Sequence, residues 1–243
     1  MSRKDGRNND ELRPVRITPD FVKYPRGSVM VEFGDTKILC AASVENVQPR
    51  WMREQKRPGG WITCEYSMMP FSSPVRMVRE ATRGKIGGRT HEIQRMIGRA
   101  LRAVVNLEKL GSRTLWIDCE VLQADGGTRT ASVTGSFVAL QLALGKLAAE
   151  GLIERNPVRE ALAAVSVGKV DGELLLDLNY EEDCRAQVDM NFVVTEGGRF
   201  IEIQGTAESE PFTAEEMTSM TAMARAGIAE LIETQKSVLG GRP

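Results

Sequence analysis

The sequence predicts an α+β fold in which helices pack on one face of a mainly antiparallel sheet. Three pairs of β-rich runs are each joined by a short turn that contains glycine, which is typical of hairpins. Three longer segments carry apolar residues at helical spacing. The 243 residues, 42% of them apolar, are enough for one large core or two small ones. We expect a single domain over residues 1–243, layered as helices on a sheet.

The predicted hairpins cover residues 28–43, 161–178 and 189–205. Their turns lie at Gly34-Asp35, Asp171-Gly172 and Glu196-Gly197-Gly198. A further strand is expected at residues 115–122, where apolar residues alternate with polar or small ones. Strands joined by such short turns pair antiparallel.

Three long helices are expected at residues 91–107, 130–149 and 213–236. The first has an apolar face and a separate basic face with Arg95 and Arg99. The last begins at a capping box of Thr213 and Glu216. Residues 1–25 contain three prolines and indicate an extended arm. Residues 46–90 are basic, broken by proline and glycine, and resist assignment.

Charge is distributed unevenly along the chain. Residues 1–113 carry 22 Lys and Arg against 12 Asp and Glu, whereas residues 114–243 carry 10 against 21. A basic half favours a polyanion as partner, because neutralised phosphates release counterions. Alternatively, the oppositely charged halves pack against each other or against another subunit. Charge alone leaves both readings open.

Several classes of protein are disfavoured by composition. No apolar stretch predicts a membrane span and the first ten residues lack the apolar segment of a signal peptide, so we expect a cytoplasmic protein. The four cysteines form no CxxC pair, which favours reduced thiols. Since His91 is the only histidine, a zinc hydrolase with two histidine ligands on one chain is excluded.

Two glycine turns precede predicted helices and each contains an arginine. The first is the run from Asp125 to Thr130, which reads DGGTRT, and the second is Gly87-Gly88-Arg89-Thr90. Glycines allow backbone N–H groups to point at an anion, and a helix amino terminus and an arginine add positive charge. The two turns could hold one phosphate between them. A turn with a structural arginine explains either run equally well when it is taken alone.

Two aspartates flank a short segment after the second hairpin. Asp183 and Asp189 are separated by Cys184-Arg185-Ala186-Gln187-Val188. Carboxylates on such a turn suit Mg²⁺, which takes one or two protein oxygens together with water and substrate phosphate. One of them could instead act as a general acid toward a leaving hydroxyl. The alternative is a solvated acidic turn, Glu181-Glu182-Asp183.

Four separated blocks, taken together, resemble the RNase PH family. They are Gly88-Arg89-Thr90 with Glu92-Ile93-Gln94-Arg95, the block from Leu122 to Ser132, the stretch from Asp183 to Asn191, and the block from Glu202 to Glu208. The resemblance runs from about Asn8 to Lys236. It implies a βαβα-type fold, shared with polynucleotide phosphorylase and the exosome core, and a homohexamer built as a trimer of dimers.

The activity that the resemblance implies is phosphorolysis of RNA from its 3′ end, chiefly trimming of tRNA precursors, with release of nucleoside diphosphates. Inorganic phosphate would be the co-substrate and Mg²⁺ the expected cofactor. The implied site residues, by role, are Arg89, Gly127, Thr128 and Arg129 for phosphate, Asp183 and Asp189 for catalysis and metal, and Arg76, Arg79, Arg95 and Arg99 for RNA.

One departure from the family pattern concerns RNA binding. Relatives commonly have arginine after the proline at position 70, where this chain has Phe71, so that one RNA contact is weakened or replaced by stacking.

Two other functions remain to be weighed. A catalytically silent ring subunit is disfavoured by the presence of all four charged site residues. A small-molecule phosphotransferase is disfavoured by residues 50–102, which have 12 Lys and Arg against 4 Asp and Glu.

Overall fold

The computed structural model describes residues 3–240, which form nine strands and five α-helices. The strands are β1 (Val15–Pro19), β2 (Gly27–Phe33), β3 (Thr36–Glu45), β4 (Trp61–Met68), β5 (Thr114–Gln123), β6 (Leu162–Val170), β7 (Glu173–Leu176), β8 (Val188–Thr195) and β9 (Phe200–Ala207). The helices are α1 (Arg50–Glu54), α2 (Gly88–Val104), α3 (Thr128–Ala149), α4 (Tyr180–Asp183) and α5 (Ala214–Gly240). The predicted α+β class is confirmed.

The strands form two sheets, where the sequence analysis expected one. The first has the order β1-β2-β3-β5-β4 and the second the order β7-β6-β8-β9. All three predicted hairpins are present, as β2–β3, β6–β7 and β8–β9. Pairing is antiparallel except between β4 and β5, which run parallel. A parallel pair needs a crossover connection, and α2 lies within it.

Helix α3 is the central element of the core and packs against both sheets. Its contacts include β2 and β3 of the first sheet and β6 of the second. It is apolar around most of its circumference, as expected for a helix with neighbours on several sides. Among the residues described, α3 is also the helix that by length and composition could cross a membrane, a feature that our sequence analysis did not recognise. However, 78% of its apolar window is buried inside the protein.

The amino-terminal arm is more ordered than its prolines suggested. Its residues 15–19 form the edge strand β1, paired antiparallel with β2. Before this strand, the side chains of Arg3, Arg7 and Arg13 are all buried. Buried arginines require acceptors for their N–H groups. The arm therefore has specific partners elsewhere in the chain, which lie next to the site described below.

Candidate active site

An open cleft of about 780 Å³ lies where α2, α3 and the second sheet meet. Four of the predicted site residues line it, namely Arg89, Arg129, Asp183 and Asp189. Arg89 is in the first turn of α2 and Arg129 in the first turn of α3. The positive ends of two helices therefore accompany the two arginines. The structure brings the arginines of the two glycine turns to one cleft, which sequence spacing could not establish.

The turn before α3 depends on its two glycines. Gly126 and Gly127 both have left-handed backbone, with φ of 75° and 63°. A side chain at Gly126 would have its Cβ 2.5 Å from the carbonyl oxygen of Leu178. The turn thus lies directly against the segment that leads into α4, whose last residue is Asp183. This close approach fixes the start of α3 next to one of the two aspartates.

Gly127 and Thr128 directly precede Arg129, but neither is among the residues that line the cleft. The Thr128 side chain is buried, and its hydroxyl accepts a hydrogen bond from the hydroxyl of Tyr66 at 2.9 Å. The first backbone N–H groups of a helix lack partners within the helix. At these two positions, the groups available to bind an anion are therefore the backbone N–H groups.

Asp183 lies close enough to Asp189 to affect its ionisation. Burial and the charge of Asp183 raise the pKa of Asp189 to about 6, although Arg129 and a hydrogen bond from Asn191 at 3.3 Å act in the opposite direction. Loss of hydration also raises the pKa of Asp183, against the lowering effect of Arg89 and Arg129. A carboxylate with a pKa near neutrality can release and recover a proton during a reaction.

The acidic turn Glu181-Glu182-Asp183 is not a uniformly solvated feature. Glu181 is exposed, whereas Glu182 is buried and accepts hydrogen bonds from Nε and Nη2 of Arg3 at 2.8 and 2.7 Å. Glu182 also closes a capping box with Asn179 at the start of α4. Asp183 is free of these bonds to the arm and lines the cleft. The arm therefore holds the short helix that carries Asp183.

A second buried contact links the arm to the glycine turn. Arg13 donates from Nε and Nη2 to the two carboxylate oxygens of Asp177 at 3.0 and 2.7 Å, and from Nη1 to the carbonyl of Asp125. Burial lowers the pKa of Arg13, but the neighbouring Asp177 more than compensates, so that the pKa is raised. Asp177 is fully buried and has a φ of 53°, which is unusual for a residue other than glycine. Arg13 thus connects the turn before α3 with the end of β7.

The four arginines predicted to bind RNA differ in their surroundings. Arg76, Arg79 and Arg95 are exposed. Arg99 is also exposed, but it is held by Glu202 on β9, with its Nε 3.0 Å from one carboxylate oxygen and its Nη2 3.1 Å from the other. Phe71 is 69% exposed on the same basic segment as Arg76 and Arg79. An exposed aromatic ring among arginines suits stacking on an unpaired base.

Several residues of the site carried no individual signal in the sequence. Glu92, Asn191, Gln204 and Glu208 line the cleft, and Tyr66 supports Thr128 from below. These four cleft residues belong to the blocks that carry the family resemblance, and in the sequence only this resemblance indicated that they matter. Tyr66 and Arg13 lie outside those blocks.

The carboxylates of the cleft are few, but they suit a hard cation. Within residues 3–240, no group of three or more His, Cys, Asp and Glu side chains is arranged to hold a metal ion. Asp183 and Asp189 nevertheless offer two neighbouring carboxylates whose mutual repulsion a cation would relieve. This donor set fits Mg²⁺, which is commonly held by one or two carboxylates with water and phosphate oxygens.

Comparison with known families identifies the class of this protein. The model of the 3′ exoribonuclease family, domain 1, matches residues 11–144, and that of domain 2 of the same family matches residues 161–227. The chain belongs to the 3′ exoribonuclease family. Its two family segments correspond to the parts of the chain that form the first sheet and the second sheet.

Curated relatives narrow the assignment within this family. Ribonuclease PH of Bacillus subtilis (strain 168) is 56% identical over 240 residues, which cover 98% of this chain and 97% of that protein. Ribonuclease PH of Bacillus velezensis is 55% identical with the same coverage. The predicted resemblance to RNase PH and the enzyme class, a phosphorolytic 3′ exoribonuclease, are therefore confirmed.

Solved structures confirm the fold. A structure of the Archaeoglobus fulgidus exosome with RNA bound to the active site superposes with a TM-score of 0.81 at 22% identity, covering 96% of this chain and 92% of the matched chain. Rice (Oryza sativa) Rrp46 superposes with a TM-score of 0.78 at 21% identity, covering 98% of this chain and all of the matched one.

Proposed function

We propose that this enzyme trims the 3′ ends of tRNA precursors by phosphorolysis, and that the cleft between α2, α3 and the second sheet is the reaction site. One observation carries the assignment. Two arginines at the amino termini of two helices share one cleft with two aspartates, one of which has a pKa of about 6. Such a site has a cationic place for an attacking anion next to groups that can transfer a proton.

Inorganic phosphate binds between Arg89 and Arg129, with the backbone N–H groups of Gly127 and Thr128 completing its coordination. A phosphate oxygen attacks the phosphorus of the last phosphodiester, and the bond to the 3′ oxygen of the preceding nucleotide breaks. The products are a nucleoside diphosphate and an RNA shortened by one residue. Because one phosphoryl linkage replaces another of similar energy, the reaction is reversible. Catalysis derives from positioning and charge neutralisation.

Asp189 is the group that protonates the departing 3′ oxygen. It is protonated at a higher pH than an ordinary aspartate and lies on β8, beside the cleft. The charge of Asp183 helps to raise the pKa of Asp189. Asp183 would hold Mg²⁺ while Asp189 carries its proton, and Asp189 would be a second ligand for the ion only in its ionised form. When bound, Mg²⁺ would offset negative charge on the phosphate oxygens in transfer.

Substrate RNA approaches over the basic segment that contains Arg76 and Arg79, with Arg95 on the neighbouring surface of α2. Residues 1–243 act as one catalytic unit, because the cleft takes Arg89 and Arg129 from the first family segment and Asp183 and Asp189 from the second. We further propose a cytoplasmic homohexamer arranged as a trimer of dimers. The full-length similarity to proteins named ribonuclease PH and the likeness in fold to an archaeal exosome core support this proposal.

The test incubates a short RNA with a 3′ extension, with and without inorganic phosphate. Nucleoside diphosphates are expected only when phosphate is present, whereas release of monophosphates in its absence would indicate hydrolysis and contradict the mechanism. Arg129→Ala should raise the phosphate KM about tenfold or more, because a charge-assisted pair with phosphate is lost, and should leave RNA affinity nearly unchanged.

The matched control is Arg155→Ala, which removes an exposed arginine just beyond the other end of α3. It should leave both phosphate KM and RNA affinity unchanged. If Arg129→Ala weakened RNA binding as strongly as it raised the phosphate KM, Arg129 would be an RNA ligand and the assignment of the phosphate site would be wrong.

A further inference from the structure

Arg129 is held by a hydrogen-bond network that the reaction scheme does not yet include. Its Nη1 donates to the side-chain oxygen of Gln204 at 2.9 Å. The amide nitrogen of Gln204 donates to Glu92 at 2.7 Å and to Glu202 at 2.9 Å. Glu202 in turn is held by Arg99. The network therefore runs from α2 through β9 to the first turn of α3.

The two carboxylates determine which way the Gln204 amide faces. A carboxylate accepts hydrogen bonds and donates none when it is ionised, so Glu92 and Glu202 both require the NH₂ end of the amide. The amide oxygen must then point toward Arg129. Gln204 is half-buried on β9, at the position paired with Asn191 of β8, so its backbone is fixed by the sheet.

A neutral acceptor has a particular advantage at this position. Glu92 already forms a long ion pair with Arg129, with a carboxylate oxygen 3.5 Å from Nη1, and a closer, hydrogen-bonded pair would compete more strongly with phosphate for the guanidinium. Gln204 binds Glu92 through one end and Arg129 through the other, so it takes up hydrogen bonds that the two charged groups would otherwise form with each other. An amide accepts a hydrogen bond without cancelling the positive charge of its donor.

We infer that Gln204 is a positioning residue for the attacking phosphate, which orients the Arg129 guanidinium into the cleft without neutralising it. This inference rests on the proposed role of Arg129 as a phosphate ligand. This role requires an amide side chain. A carboxylate of the same size would orient Arg129 but would neutralise its positive charge. An apolar side chain would form no hydrogen bond with Arg129 and would release it toward Glu92.

Gln204→Glu is the most direct test, because it changes charge with almost no change in shape. It should raise the phosphate KM about tenfold or more, while kcat at saturating phosphate changes less than about threefold. The introduced carboxylate would accept the hydrogen bond that Arg129 now donates to Gln204, and it would therefore compete directly with phosphate for the guanidinium.

Gln204→Leu removes the hydrogen bonds and adds no charge. Arg129 should then form a closer ion pair with Glu92 than the present one at 3.5 Å, and the phosphate KM should rise about three- to tenfold. Adding Glu92→Gln removes the competing carboxylate and should return the phosphate KM to within about twofold of the parent value. A side chain that only supports the fold would give neither this recovery nor a change confined to KM.

The control is Gln141→Glu, the same substitution on α3 at a glutamine that accepts a hydrogen bond from Asn156 outside the cleft. It should leave the phosphate KM unchanged. If Gln204→Glu also left it unchanged while Arg129→Ala raised it, the role of Gln204 would be disproved and the phosphate site would stand. If Arg129→Ala itself had no effect on the phosphate KM, the proposed site would fail and this inference would fail with it.

Discussion

Asp189 is a charged residue whose position in the folded protein favours its neutral form. Its pKa of about 6 exceeds the ordinary value of an aspartate, chiefly because of burial and then because of Asp183. The folded state therefore holds this proton more tightly than the unfolded state does. The resulting stability is fully present below about pH 4 and is lost as the pH rises through about 6.

We predict that Asp189→Asn stabilises the protein at alkaline pH while it impairs catalysis. At pH 8 the free energy of unfolding should be higher than that of the parent by about 1–3 kcal/mol, since the amide carries no charge to bury. At pH 4 the two proteins should be equally stable. Denaturant unfolding in metal-free buffer, at equal protein concentration, measures this difference. A variant that is less stable than the parent at pH 8 would contradict the prediction.

At the scale of single residues, sequence reasoning found the charged groups and missed the groups that hold them. Arg129 and Asp183 could be proposed because arginine at a glycine turn and aspartates on a short loop have recognisable chemistry. Tyr66, Gln204 and Arg13 act through hydrogen bonds to partners 62, 75 and 164 positions away. Such pairs leave no local pattern, so only the fold reveals them.

The arm and its buried arginines are the element on which the geometry of the cleft depends. Arg13 joins Asp177 to the turn before α3, and Arg3 holds Glu182 beside Asp183. Removing one partner of a buried ion pair leaves the other charge without compensation. Substitutions in the arm should therefore affect both stability and catalysis, although the arm does not line the cleft.

We predict that Arg13→Met lowers the free energy of unfolding by about 3–5 kcal/mol, and that adding Asp177→Asn recovers a substantial part of this loss. Denaturant unfolding of the single and double variants measures the coupling between the two sites. The control is Arg26→Met, which removes the partner of Glu150 in a pair exposed to solvent and should cost about 0–1 kcal/mol. Equal losses for Arg13→Met and Arg26→Met would show that burial of the pair is unimportant.

The elements predicted correctly are those with a strong periodic signal. The three hairpins and helices α2, α3 and α5 were placed to within a few residues of their observed bounds. Strand β4 was missed because it lies within the basic, proline-rich stretch of residues 46–90 and pairs parallel with a strand about 50 positions later. Strand β1 was missed because Pro14 precedes it and Pro19 ends it, and because its backbone hydrogen bonds are formed with the neighbouring strand β2. The division into two sheets depends on such distant pairing.

At the scale of the whole molecule, the uneven charge of the chain is only partly compensated within the fold. Some of it is compensated internally, since Arg3, Arg13 and Arg99 pair with carboxylates of the acidic half. The remaining positive charge includes the exposed arginines of the segment with Arg76 and Arg79. The pairing of the oppositely charged halves with each other is therefore confirmed, whereas polyanion binding by the exposed arginines stays a prediction.

We predict that the combined substitution Arg76→Ala, Arg79→Ala weakens RNA binding and makes it less sensitive to salt. The slope of log K against log salt concentration should become shallower by about 1 to 1.5, as expected when two phosphate contacts to single-stranded RNA are lost. Equilibrium binding in phosphate-free buffer over a series of KCl concentrations measures the slope. The matched control, Arg155→Ala with Arg159→Ala, removes the same charge beyond the far end of α3. If it had the same effect, net charge rather than a local contact would be responsible.

The buried arginines of the arm also determine when, during synthesis of the chain, their contacts can form. Arg3 and Arg13 leave the ribosome early, but their acceptors Glu182 and Asp177 are 179 and 164 residues further along the chain. At ordinary rates of translation this interval is on the order of ten to thirty seconds. A nascent chain that has not reached residue 182 cannot set the spacing between the start of α3 and Asp183. Nuclease activity is therefore acquired late in synthesis, after both family segments have emerged.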